Sequence, residues 1–359
     1  MPNSSLWEPN FDRVLKVLRR DGEPDRVPFL ELIIDMGLAQ EIMGQPLPPP
    51  NTDEHRRFQI EFMTKMGYDY VGGGHNFGFP KGEHLARLTA DTSPERNRGQ
   101  RGWRNENEGI IATWEDFESY PWPDPAQADF EDLEKIGAMV PDGMKVTTML
   151  PGGVLENTVD LFGYEPLCFA LVEQPDLVQA VADRVGALEL GLVERICSYD
   201  QIGALWINDD LGFKTQTMIS PADLRKYIFP WHKKMTAVAH AAGKPVMLHA
   251  CGNLKGVMED IIEDVHIDGK HSYEDVIQPV AEFKQKYEGR IAALGGIDVD
   301  RLVRDSEADL RAYVRRTIEA CAPGGGYALG SGNSIANYVP VNSYLAMLDE
   351  GRKVGVYGG

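Results

Sequence analysis

The sequence predicts an α/β fold built as a (β/α)8 TIM barrel, and three observations point there. Eight short apolar runs recur along the chain, and long amphipathic stretches separate them. At 359 residues the chain exceeds the usual single-core size yet suits one large barrel domain. The runs are Val27–Ile34, Tyr68–Gly73, Lys145–Leu150, Ala204–Ile207, Pro245–His249, His266–Gly269, Ile291–Leu294 and Tyr327–Leu329. Most are continuously apolar, as strands covered on both faces should be. A doubly wound sheet is the competing architecture, but no G-x-G-x-x-G opens a helix after the first run and no P-loop is present. Gly72-Gly73-Gly74 follows the second run; a bare glycine triplet is weak evidence for a phosphate site.

The stretches between the runs carry helix signals. The start, MPNSSLWEPNFDRVLKVLRRDG, lacks a secretory apolar core and reads as a helix. Asp176–Ser198 follows Pro175 and sets Leu177, Val178, Val181, Val185, Leu188, Leu192 and Ile196 on one face. Ser306 precedes Asp309 at capping-box spacing, and Leu310, Val314, Ile318 and Cys321 then share one stripe. Ala322-Pro323-Gly324-Gly325-Gly326 ends that helix. Residues 79–145 depart from the pattern: they are polar, rich in Arg and Gly from Arg96 to Arg104, and too long for an ordinary βα loop. They are expected to form an insertion, a hairpin or lid, over one end of a single domain spanning 1–359.

Composition excludes several partners. Lys and Arg number 36 against 55 Asp and Glu, a net charge of -19. Neither duplex nucleic acid nor an anionic membrane surface suits so acidic a chain, and no run of about 18 apolar residues could span a bilayer. Four scattered cysteines, Cys168, Cys197, Cys251 and Cys321, make no disulfide framework, so a reducing cytoplasm is the expected home. Cys168, Cys197 and Cys321 read as helix-core residues.

In a barrel, chemistry gathers at the C-terminal strand ends. That rule selects Glu31 and Asp35, His75 and Asn76, Glu156, Asn208-Asp209-Asp210, His249 and Cys251, His271, Asp298, and Ser331 with Asn333. The sharpest is His249-Ala250-Cys251-Gly252-Asn253. A His and a Cys two apart share a face at a strand end, and imidazole nitrogen and thiolate sulfur are donors that zinc takes. Two ligands are not a site. A third is expected from His75, Glu156, Asp209, Asp210 or His271. Asp209, Asp210, Glu156 and His271 are the candidate acid–base or catalytic groups; Glu31, Asp35, His75, Asn76 and Asn333 are candidate substrate-binding groups. The Asp209-Asp210 pair reads equally as a helix cap plus a solvated carboxylate. His55, His84, His232, His240 and His266 lack strand-end placement and read as structural or solvent-facing.

Several segments carry a resemblance: NDDLGFKTQTMISPADLRKYIFPWHKK, PVMLHACGN, IAALGGIDVDRL and APGGGYALGSGNSIANYVPVNSYLAML, with RVPFLELIIDMG and GYDYVGG matching more loosely. With these the chain resembles the uroporphyrinogen decarboxylase superfamily, and within it the corrinoid-methyltransferase branch. The resemblance implies a (β/α)8 barrel. It also implies that true uroporphyrinogen decarboxylation is lost. The arginine-bearing segment that holds substrate carboxylates is here Leu32-Ile33-Ile34-Asp35-Met36. The decarboxylase aspartate falls on Asn76, its tyrosine on or near Asp160, and its histidine on Asn333. The methyltransferase branch carries H-x-C at the end of the fifth strand, matching His249 and Cys251. Its thiol-methylating members add a third cysteine, which aligns with Asn333 and speaks against coenzyme M as acceptor.

By this resemblance the chain is expected to be a zinc-dependent methyltransferase. It would move a methyl group from a small methylated substrate, such as a methoxylated aromatic, to cobalamin. No D-x-H-x-x-G motif is present, so the corrinoid should arrive on a partner protein, and a homodimer is a further expected assembly. Two alternatives are a metal-independent decarboxylase or lyase of a small acid using Asp209, Asp210 and His271, and a non-catalytic partner of a corrinoid protein.

Overall fold

The computed structural model describes residues 4–80, 86–90, 100–104 and 107–358. Seven parallel strands form one curled sheet: β1 (Tyr70–Gly72), β4 (Lys145–Met149), β5 (Ile202–Asn208), β6 (Val246–His249), β7 (Gly269–His271), β8 (Ala292–Leu294) and β9 (Tyr327–Ala328), adjacent in that order. β2 (Ala86–Ala90) and β3 (Gln100–Arg104) make a separate antiparallel hairpin. Helices α1 (Asp12–Arg19), α2 (Met36–Met43) and α3 (Asp53–Met66) precede β1. Next come α4 (Trp114–Ser119), α5 (Glu131–Met139), α6 (Val154–Phe162), α7 (Tyr164–Glu173) and α8 (Pro175–Cys197). The chain continues through α9 (Pro221–Asp223), α10 (Phe229–Ala241), α11 (Val280–Tyr287), α12 (Val299–Arg304), α13 (Glu307–Cys321) and α14 (Val341–Val354). The 79–145 segment thus contains the hairpin, α4 and α5, and α5 packs against α3 and β4. His84 and residues 96–99 of the Arg96–Arg104 stretch lie outside the described residues.

Three expectations need correction. Val27–Ile34 is not a strand. It joins the β9 side through the isolated parallel bridges Phe29↔Leu329 and Ile34↔Ile335. Pro28 has no N–H to give a ladder, and toward β1 the Glu31 backbone bonds a side chain instead: the Tyr70 hydroxyl accepts from Glu31 N–H (2.7 Å) and donates to Glu31 C=O (2.6 Å). The expected eight-stranded ladder is therefore a seven-stranded sheet, with a seam between residues 27–34 and β1. Second, His266 takes a left-handed backbone (φ 63°), so the run expected at His266–Gly269 becomes a turn, and the strand is β7, with His271 its last residue. Third, Cys168 is exposed. α7 buries only Leu167 and Ala170, leaving Cys168 and its neighbour Phe169 on the outer face.

The expected caps form. Asp309 N–H donates to Ser306 Oγ at 3.2 Å, and Leu310, Val314, Ile318 and Cys321 are buried. Away from the strand ends, Asp69 fastens the N-terminal segment: Arg26 Nη2 sits 2.9 Å and Arg13 Nη1 2.9 Å from its Oδ1. Both guanidiniums are buried; a buried carboxylate is tolerable only with such partners.

Candidate metal centre and adjoining cavity

The parallel register places Asn208, His249 and His271 side by side at the ends of β5, β6 and β7. The chain then turns sharply. Gly252 has φ 86°, and a Cβ there would lie 2.1 Å from the Gly212 carbonyl oxygen, so only glycine lets the Cys251 loop come this close. Cys251 N–H donates to Asp210 Oδ1 at 2.8 Å, tying this loop to the one after β5. Asp210, His249 and Cys251 thereby offer one oxygen, one nitrogen and one sulfur, all within 4.8 Å of one another. His249 Nε2 lies 3.6 Å from Cys251 Sγ and 3.7 Å from Asp210 Oδ1.

The aspartate pair divides. Asp210 is partly exposed and joins the cluster; Asp209 is fully buried and faces the other way. Its Oδ1 accepts from Glu156 N–H (2.9 Å), and its Oδ2 accepts from Leu155 N–H (3.0 Å) and His232 Nε2 (2.8 Å). It thus satisfies donors at the start of α6 that no helical carbonyl can reach. Gly153 makes room, since a Cβ there would sit 2.2 Å from Asp209 Cβ. Glu156 lies in that first turn of α6. His232, read from sequence as structural or solvent-facing, is the buried anchor of Asp209.

Around the cluster the side chains form a connected polar shell. His249 Nδ1 and His271 Nδ1 are 2.8 Å apart, so one donates and the other accepts. Burial holds the pKa of both imidazoles below the ordinary value and keeps them neutral. Cys251 Sγ accepts from Ser272 Oγ and from Asn333 Nδ2, each at 3.4 Å. Burial first, and then the Asp210 charge, push the thiol up to about 12. Ser272 has φ 84°, an uncommon conformation for a residue with a Cβ, and the Lys270 ammonium donates to its carbonyl. Lys270 is itself buried, which lowers it to about 8.

The other candidates are spread out. Asp35 caps α2, accepting from Gly37 N–H and Leu38 N–H. Asp298 likewise caps α12. Asn76 is exposed, and its Oδ1 accepts from Asp129 N–H. His75 Nε2 donates to the Met149 carbonyl at 2.9 Å. Glu31 is buried, and its carboxyl accepts from Ser331 N–H (2.7 Å) and Oγ (2.5 Å). Burial raises it to about 8, against the opposing pull of those two bonds.

Beside the cluster, in the interrupted seam, lies a cavity of about 420 Å³. Glu31, Ile34, Phe62, Tyr70, Met149 and Trp206 line it, together with neighbours from α3 and the glycines after β1. Trp206 is buried and meets the His271 ring edge-on at 5.5 Å, so one indole lines the cavity and contacts the imidazole that bonds His249. Sequence reasoning did not single out Trp206, Ser272 or Lys270. Alternation along β5, with Trp206 two residues before Asn208, was the available signal for the first. The neighbours of His271 gave none, because an ordinary serine and lysine carry no mark of their burial.

Similarity to known proteins agrees with this geometry. The sequence model of the family described as Uroporphyrinogen decarboxylase (URO-D) matches residues 152–354. No curated protein matches the chain. Among solved structures, a methyltransferase from Methanosarcina mazei is similar in fold, with TM-score 0.69 and 14% identity over 95% of this chain and 97% of that one. A protein assigned as a vitamin-B12-independent methionine synthase from Listeria monocytogenes is more distant, with TM-score 0.51 and 11% identity over 94% and 99%. Strands β5–β9 and all three members of the N, O, S cluster fall inside the matched span, and the chain belongs to the uroporphyrinogen decarboxylase family.

Proposed function

We propose that this protein is a methyltransferase that moves a methyl group from a small methylated substrate to the corrinoid of a partner protein, with a zinc ion held by Asp210, His249 and Cys251. The observation that carries this is the convergence of a nitrogen, a sulfur and an oxygen donor at adjoining strand ends. Such mixed donors suit borderline-soft zinc, and three protein ligands are the usual number at a catalytic site. The shell fits the same purpose. An Nδ1–H on His249 donated to His271 leaves Nε2 with its lone pair toward Cys251 and Asp210. Ser272 and Asn333 donate to the sulfur, which favours its thiolate. Asn333 thus serves the sulfur where thiol-methylating relatives carry a further cysteine. When bound, zinc would supply Lewis-acid polarisation of the substrate atom that loses the methyl group.

The remaining work belongs to the protein's own groups. Asp209 fixes the start of α6 against the strand ends, and Glu31, on the cavity wall, has its carboxyl held by Ser331. The fold shared with a methyltransferase supports this reading, and the corrinoid partner follows from the resemblance of residues 200–350 to that branch. Residues 79–145 are read as an insertion closing the mouth of a single domain, and the cytoplasm as the setting. Among the described residues no helix is long and apolar enough to cross a membrane.

The test is anaerobic incubation with a reduced corrinoid protein and a panel of methyl ethers and methylamines, followed by absorbance. Formation of methylated corrinoid with at least one donor, lost in Cys251→Ala, is the expected result. No methylated corrinoid with any donor, from protein that holds zinc, overturns it.

A further inference from the structure

The two donors to Cys251 Sγ come from different loops. Ser272 Oγ reaches it from the loop after β7 and Asn333 Nδ2 from the loop after β9, each at 3.4 Å. The peptide unit between Ser272 and Tyr273 joins those loops. Its N–H, that of Tyr273, donates at 2.8 Å to the carbonyl of Gly332, the residue before Asn333. Its C=O, that of Ser272, accepts from the buried Lys270 ammonium. One peptide unit is thus held at both ends. Ser272 needs the hold: at φ 84° it stands in a left-handed conformation that a residue with a Cβ keeps only where its surroundings dictate it.

Lys270 is an unusual choice for its place. Strand alternation turns it away from His271 and into the layer between β7 and α11. There its ammonium lies 4.1 Å from the centre of the Tyr273 ring and 5.9 Å from that of Phe283. The Tyr273 hydroxyl donates back to the Lys270 carbonyl at 3.0 Å. Among the described residues no carboxylate forms an ion pair with this ammonium, which rests on a carbonyl and a ring face instead. Burying a cation on such terms is costly, and an apolar side chain would fill the layer at lower cost. What the ammonium adds is a charged donor, and a charged donor makes a stronger bond to a carbonyl than a neutral one.

We propose that Lys270 is a positioning residue for the sulfur: by clamping the Ser272–Tyr273 peptide it keeps the Ser272 hydroxyl on Cys251 Sγ, and so tunes how the sulfur binds a metal. Lys270 acts entirely through Ser272. Without the ammonium the peptide is held only at its N–H. Ser272 then relaxes from the left-handed region, and its Cα–Cβ bond swings the hydroxyl off the sulfur. A sulfur that loses a donor holds its lone pairs at higher energy, so its bond to the metal changes in strength and in colour.

The inference rests on the reading of Asp210, His249 and Cys251 as metal ligands, and the experiment separates the two. Zinc affinity is read by competition with a chelator, and the sulfur-to-metal charge-transfer band by absorbance after loading with cobalt(II). Lys270→Met, which fills the same space without the charge, should weaken zinc about tenfold and move the cobalt band to longer wavelength. Ser272→Ala should do both to the same extent. The double variant should lose no more than Ser272→Ala alone, as two residues acting through one contact must. Losses that add in the double variant, or a band that stays in place in Lys270→Met, overturn the proposal. Zinc affinity and band unchanged in Ser272→Ala overturn it whether or not Lys270→Met folds. Wild-type protein that takes up neither metal defeats the ligand reading instead. The crystal structure of metal-free Lys270→Met then decides the clamp: Ser272 should leave the left-handed region with its hydroxyl out of reach of Cys251 Sγ, and an unmoved Ser272 overturns it.

Discussion

The two sides of the sheet are built differently. From β5 to β9 the strands pair in continuous parallel register, and their ends bring His249, His271 and Asn208 into a row fixed by backbone bonds. Between residues 27–35 and β1 the ladder fails, and a tyrosine hydroxyl stands in for it. The continuous side positions charged groups and the three side chains that could hold a metal, which tolerate little error in placement. The interrupted side leaves space, and an apolar cavity occupies it. A strand that does not form is here as consequential as one that does.

Variants can break this contrast, and the largest effect belongs to the continuous side. Asp209→Ala strands the buried His232 and two helix-start amides, so denaturant unfolding should show a loss of about 3–5 kcal/mol. A loss below ~1 kcal/mol would mean that the buried carboxylate is dispensable. Cys251→Ala should weaken zinc binding by more than about 100-fold, exceeding the ~10–100-fold expected for His271→Ala, whose imidazole only orients a ligand. Equal losses, read by competition with a chelator, would place His271 among the ligands.

Zinc uptake should also release about one proton, from the Cys251 thiol that burial holds protonated. Titration in buffers of different ionisation enthalpy reads it.

On the interrupted side the expected effect follows pH. Glu31 has an ordinary pKa of 4.5 and about 8 in the folded chain. Between those values the native state keeps a proton that the unfolded chain has released. Its contribution to stability is therefore present at low pH and declines as pH rises from about 4.5 to 8. Glu31→Gln should remove that decline from a melting-temperature profile. The smallest effect is expected at Ser272: replacement by Gly relieves a left-handed backbone while removing the donor to sulfur, and global stability should change by less than about 1 kcal/mol.

The strand ends were legible because parallel strands with short loops deliver their last residues to one face. His249 and Cys251, two apart after an apolar run, announced themselves. Asp209 and Asp210 could not be told apart, since adjacent carboxylates look alike until one of them meets a helix start. The strand expected at 27–34 was misread because its composition is apolar; Pro28 and the reach of Tyr70 decided otherwise. Cys168 was misread because helical periodicity places α7 on a face without saying how deep that face lies.

What the sequence determined alone was local and periodic: the alternation of apolar runs and helices, the cap at Ser306, the glycine after Cys251 and the His-x-Cys pair. These depend on neighbours within a few positions. Tertiary structure decided which carboxylate joins the cluster, that His271 backs His249, and where the sheet gives way to a cavity. Each of those is a contact between residues 20 to 300 positions apart, and such contacts are set by how the strands pack rather than by any property of the residues taken singly.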